Sequence, residues 1–118
     1  MDQGLSRRRR VRKNGEFLRV YQSGKRVSDG SLSLVVLSRP GKEETRLGLS
    51  VSRKVGPAVV RNRVKRRLRE IFRLTRPRFK PGMDMVVVAK PPASNLKFGP
   101  LQESFLALCR KASLFLNA

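Results

Sequence analysis

The segment Arg53–Arg73, RKVGPAVVRNRVKRRLREIFR, leaves a chain of this kind few ways to fold. At 100° per residue, Val60, Val64, Leu68, Ile71 and Phe72 gather on one side of a helix, with Asn62, Lys65, Arg66, Arg69 and Arg73 opposite. Arg61, Arg63 and Arg67 flank the apolar stripe. A helix so divided must lay its stripe on a core and turn its other side outward. Gly56–Pro57 opens it, proline being suited to a first turn. The pattern predicts a helix over Pro57–Leu74 that ends before Pro77.

The outward side is the unusual one. Same-sign neighbours on a helix repel by a few tenths of a kcal/mol each, and here only Glu70 interrupts the positive charge. Arginine dominates over lysine, which suits bidentate phosphate contacts and stacking on bases. This face is expected to meet an anion. The whole chain has the same bias, with 28 Lys+Arg against 8 Asp+Glu for a formal charge of +20. Self-repulsion on that scale favours an anionic partner. Nucleic acid is the first candidate and an acidic membrane surface the second. The second is weaker, because no apolar run approaches the roughly 18 residues a span needs. The Arg7–Arg10 run leads into Val11, Arg12, Lys13 and Asn14, and not into the apolar stretch of a signal peptide. A lone Cys109 excludes an internal disulfide and fits a reducing, cytoplasmic setting.

Absences narrow the chemistry. The chain has no histidine, so it offers no histidine base, triad or metal ligand. One cysteine cannot build a zinc site. The carboxylates Asp2, Glu16, Asp29, Glu43, Glu44, Glu70, Asp84 and Glu103 are scattered, with no D-x-D cluster to hold two magnesium ions. No catalytic residue and no protein metal site are expected. A protein-only nuclease would need distant carboxylates to meet in space.

The remaining elements follow from pattern. With 118 residues, one domain is expected over 1–118. Residues 7–13 carry six basic side chains and read as a solvated arm, within residues 1–13, that orders on RNA. Asn14 is placed to cap a helix over Gly15–Gln22, with Glu16 in its first turn and Phe17 and Tyr21 one turn apart on one face. Ser31–Ser38 reads as a strand. Arg46–Ser52 alternates, with Leu47, Leu49 and Val51 one way and Gly48, Ser50 and Ser52 the other. The small polar side leaves room for a ligand. RPGKEET between these strands reads as a hairpin loop, which would make them antiparallel neighbours. Met83–Ala89 is nearly all apolar and is expected to be buried on both faces. A last helix is expected from Pro100, with Leu101, Phe105, Leu108, Cys109, Ala112 and Leu116 as its core stripe. The sum is a single-domain α+β sandwich: a small mixed sheet with about three helices, in the order α-β-β-β-α-β-α.

Val55–Arg69, VGPAVVRNRVKRRLR, closely resembles the RNR signature of the bacterial ribonuclease P protein family, and Leu47–Lys54, LGLSVSRK, resembles the strand that enters the same helix. The likeness extends over about residues 7–115. It implies a fold similar to the second domain of a small-subunit ribosomal protein, with a left-handed βαβ crossover against the usual rule. It also implies a partner: a large catalytic RNA that, with the protein, removes the 5′ leader from precursor tRNA, magnesium being held mainly by RNA and substrate. By matching position, Arg61, Asn62, Arg63, Lys65, Arg66 and Arg69, with Arg53 and Lys54, would contact the catalytic RNA. Phe17, Tyr21, Ser50, Ser52 and Lys54 would line a cleft for the single-stranded leader. The family's second strand often adds an aromatic there, whereas Leu32–Leu37 offers only aliphatics and Ser33. Leader stacking would then rest on Phe17 and Tyr21.

Two other readings compete. A ribosomal or other structural RNA-binding protein shares the composition. A DNA-binding protein could use the Pro57–Leu74 helix in a major groove, but no helix-turn-helix partner lies just upstream. No DNA and no membrane partner are expected.

Overall fold

The computed structural model describes residues 14–116. The arm expected within residues 1–13 and the Asn14 side chain expected as a cap lie outside the described residues. Three α-helices and four strands follow in the order α1 (Asn14–Ser23), β1 (Lys25–Ser28), β2 (Leu32–Ser38), β3 (Arg46–Val51), α2 (Ala58–Thr75), β4 (Met83–Ala89) and α3 (Phe98–Lys111). The expected α-β-β-β-α-β-α order holds.

The sheet order is β1-β2-β4-β3. β4 therefore separates the two strands expected to pair. β2 is antiparallel to β4, from Leu32↔Ala89 to Ser38↔Met83. β3 runs parallel to β4, from Arg46↔Asp84 to Val51↔Ala89. The expected β2–β3 hairpin is overturned, and burial gives the reason. β4 is the most apolar strand and takes a central place, where both its edges are hydrogen-bonded and both faces covered. β2's other edge goes to β1, which pairs from Lys25↔Val36 to Ser28↔Ser33. β1 carries a single apolar residue, Val27, so no pattern in the sequence located it.

Two cores lie on opposite faces of the sheet. On one, Leu32, Leu34, Leu47, Val51, Met85 and Val87 pack with the α2 stripe Val64, Leu68, Ile71 and Phe72 and with Leu101, Phe105 and Leu108 of α3. Each fully buried large side chain here stabilises by about 1.5–3 kcal/mol. On the other face, Val20 of α1 meets Val35 and Val86, with Phe17, Leu37 and Val88 packed around them. Among the described residues, the helix packed on that side is α1, a short helix with one fully buried apolar residue, Val20.

Helix ends differ in detail from expectation. Pro57 stands just before α2 with extended dihedrals, and the helix ends at Thr75, ahead of a 3₁₀ turn, Arg76–Arg78, that contains Pro77. α3 begins at Phe98, so Pro100 falls inside its first turn, where a missing N–H costs nothing. Leu116 leaves the expected stripe: the chain turns at Ser113, φ 58°, buries Leu114 and Phe115, and exposes Leu116.

Candidate nucleic-acid interface

The α2 stripe fixes which side chains face out. Asn62 and Arg66 are exposed, and Lys65 and Arg69 half-buried. Among the described residues, no carboxylate pairs with Lys65 or Arg66. Val59 stands 76% exposed in the first turn of the same helix. Arg73 departs from the expected group, because its guanidinium is forked onto Glu70 at 2.7 and 2.9 Å. That hydrogen bond holds the Glu70 carboxyl below its ordinary range.

The flanking arginines are bound to backbone. Arg67 Nη1 donates to the Leu96 carbonyl at 2.7 Å and Arg63 Nη2 to the Ser94 carbonyl at 3.4 Å. Together they strap the Pro91–Asn95 3₁₀ turn to α2. Arg61 Nε donates to the Gly56 carbonyl at 3.1 Å, closing the entry to the helix. Gly56 adopts φ 155° there, and a Cβ would lie 3.0 Å from the Val60 side chain. The sequence carried no sign of these straps, since carbonyl acceptors have no residue-type signature.

The aromatic pair sits on the other face of the sheet. Phe17 is half-buried against the Val20–Val35–Val86 cluster, and Tyr21 is 36% exposed. Their ring centroids are 6.2 Å apart and tilted by 52°. Ser50 is registered against Val88, which like Phe17 packs against that cluster, so it belongs to the α1 side of the sheet. Ser52, Arg53 and Lys54 are all exposed in the link from β3 to α2, at the rim where the two faces join. The structure thus brings Phe17, Tyr21 and Ser50 to one side, the outer α2 residues to the other, and puts Arg53 and Lys54 between them.

A charged network under α1 escaped the sequence reading. Asp84 is fully buried. Arg46 grips it with Nε to Oδ1 at 2.8 Å and Nη2 to Oδ2 at 2.7 Å, and Arg39 Nε lies 2.9 Å from Oδ1. Arg46 Nη1 reaches on to Glu16 of α1 at 2.9 Å. The Asp84 hydrogen bond raises the Arg46 guanidinium above its ordinary value, against its partial burial. One signal was available: an acid inside the strand MDMVVVA requires a buried cation. At the far end of the sheet, Asp29 accepts from the backbone N–H groups of Ser31 and Leu32 at 2.8 and 2.9 Å and from the Ser104 hydroxyl. Among the described residues, no three His, Cys, Asp or Glu side chains come together to hold a metal ion. Cys109 is buried, and that burial pushes its thiol up to about 12, which leaves it unreactive as a nucleophile. No described helix is long and apolar enough to cross a membrane.

Comparison with known proteins agrees with this geometry. The family model described as Ribonuclease P matches residues 5–113. The ribonuclease P protein component of Finegoldia magna is 45% identical over 104 residues, covering 88% of this chain and 90% of that protein. The one from Bacillus velezensis is 40% identical over 111 residues, covering 94% and 95%. The structure of the Staphylococcus aureus RNase P protein superposes with a TM-score of 0.85 at 32% identity, covering 91% of this chain and 97% of that one. The buried apolar stripe and the outward arginine face of α2 thus stand in a chain alike in sequence and fold to these proteins. The chain belongs to the ribonuclease P protein family, as the protein component of that tRNA-processing endoribonuclease.

Proposed function

We propose that this subunit works by position and charge: it docks on the catalytic RNA through the outer face of α2 and holds the precursor-tRNA leader between α1 and the sheet. The observation that carries the reading is the outer α2 face, where Lys65 and Arg66 stand beside Asn62 with no carboxylate partner among the described residues. A structured RNA is recognised largely through shape and backbone, and a one-sided arginine helix suits that task. Arg69 would add charge on the outer face, and Arg61 and Arg63 would contribute charge from the flanks while also bracing the backbone. Arg53 and Lys54 would serve both RNAs from the rim.

On the other face, Phe17 and Tyr21 would stack on leader bases, a contact worth about 1–3 kcal/mol per base. Ser50 and Ser52 would offer small polar groups beside them. Among the described residues no group of carboxylates gathers to cage magnesium, and the reading is that the ions driving phosphodiester cleavage would be held by RNA and substrate. A basic protein screens phosphate repulsion and so lowers the magnesium that the complex needs. The setting would be cytoplasmic, with precursor tRNA and the catalytic RNA as partners.

Reconstitution tests this. The purified chain added to a bacterial catalytic RNA should speed precursor-tRNA cleavage at low magnesium and have little effect on it at high magnesium. No gain at low magnesium would remove the proposal.

A further inference from the structure

We propose that Glu16 is a positioning residue, which through Arg46 pins the first turn of α1 over the sheet and so sets the placement of the leader-stacking rings. The inference rests on the leader-cleft reading above and deepens it.

The support is geometric. Arg46 is held rigidly by its two-pronged contact with the fully buried Asp84. Its one remaining arm, Nη1, points at α1 and meets Glu16 at 2.9 Å, with the two side chains only 13% and 24% exposed. The buried strand β4 is thus joined to α1 through a single charged side chain. Among the described residues little else holds α1: over 15–23 only Val20 is fully buried, and Leu18 is 54% exposed. Its other end is fixed by close backbone approach. Gly24 donates to the Val20 carbonyl at 2.8 Å, and a Cβ on Gly24 would come within 2.5 Å of that oxygen and 2.8 Å of the Val36 carbonyl. α1 is therefore clamped at both ends, by Glu16 at the start and Gly24 at the finish. Phe17 follows Glu16 directly, and Tyr21 lies one turn on, 6.2 Å from it ring to ring. Loosening the first turn would move Phe17 before anything else.

Charge makes the inference discriminating. Removing a carboxylate from a chain of charge +20 should by electrostatics alone tighten RNA binding. A positioning role predicts the opposite for the leader. In the reconstituted holoenzyme, the affinities for precursor tRNA and for mature tRNA would be measured side by side. Glu16→Ala should reduce the precursor-to-mature ratio by about tenfold, the loss of roughly one stacked base, with mature tRNA bound no more weakly than before. Glu16→Gln removes the same charge but keeps an acceptor for Arg46 Nη1, and should recover most of the ratio. Phe17→Ala reports on the cleft itself. If Phe17→Ala lowers the ratio while Glu16→Ala leaves it unchanged, the cleft stands and the positioning role is wrong. If Glu16→Gln falls as far as Glu16→Ala, the acceptor it offers Arg46 Nη1 does not place the rings, which also overturns it. If neither Phe17→Ala nor Glu16→Ala changes the ratio, the cleft reading fails and this inference goes with it.

Discussion

Replacing Lys65 and Arg66 together by alanine tests the outer face of α2 most directly. Both side chains point away from the core, and neither is paired with a carboxylate among the described residues. Their loss should leave the fold intact. Each phosphate contact contributes about 0.7 to 0.9 to the slope of log affinity against log salt, the lower figure for single strands and the higher for duplex. Two lost contacts should therefore flatten the slope by about 1.4 to 1.8. Near 0.15 M salt each unit of slope amounts to about 0.8 of a log unit in affinity, so the double variant should bind the catalytic RNA about 15- to 30-fold more weakly. Near 0.5 M the same difference shrinks to about threefold. Filter binding or fluorescence titration across that salt range measures both quantities. Arg67→Ala is the contrast, because its guanidinium is spent on the Leu96 carbonyl. It should lower Tm and leave the slope nearly unchanged. A double variant whose slope matches that of the unaltered protein would take this face out of the RNA interface.

Asp84→Ala would strand Arg39 and Arg46 without their buried counter-charge; a loss of about 3–5 kcal/mol is expected, seen as a fall in Tm of about 12–20 °C. Gly82→Ala should cost about 2–4 kcal/mol in denaturant unfolding, since Gly82 adopts φ +72° and a Cβ would press on the Lys42 and Arg39 carbonyls at 2.6 and 2.9 Å; Gly30→Ala, with open space around it, should change little. Burial pushes the Asp29 carboxyl up, but hydrogen bonds from Ser104, Leu32 and Ser31 and the charge of Lys90 outweigh it and hold the group below its ordinary 3.8. Its contribution is thus fully present above pH 3.8 and is lost as pH falls through the lower folded value, so Asp29→Asn should destabilise at neutral pH and converge on the unaltered protein in strong acid, by thermal melts across pH.

Much of the fold could be read from local pattern. The α2 stripe at Val64, Leu68, Ile71 and Phe72 and the apolar run of β4 demanded burial whatever the topology, because period and hydrophobicity are properties of neighbouring residues. The outward basic face, and the expectation of an anionic partner for it, followed from the same periodicity together with the +20 charge. Sheet order did not follow. Nothing local says that β4 inserts between β2 and β3, because strand pairing is decided by which strand can cover both faces and satisfy both edges. β1 exists only because β2 had a free edge.

The division is similar for the site. Residue types marked Phe17, Tyr21, Lys65 and Arg66 as candidates. Tertiary structure alone decided that Arg63 and Arg67 would spend donors on the carbonyls of the Pro91–Asn95 turn and its end, that Arg73 would turn to Glu70, and that Arg46 would join Asp84 to Glu16 across 38 and 30 residues of chain. A side chain's chemistry is written in its sequence position, but the partner that claims it is set by where the backbone brings distant groups within about 3 Å.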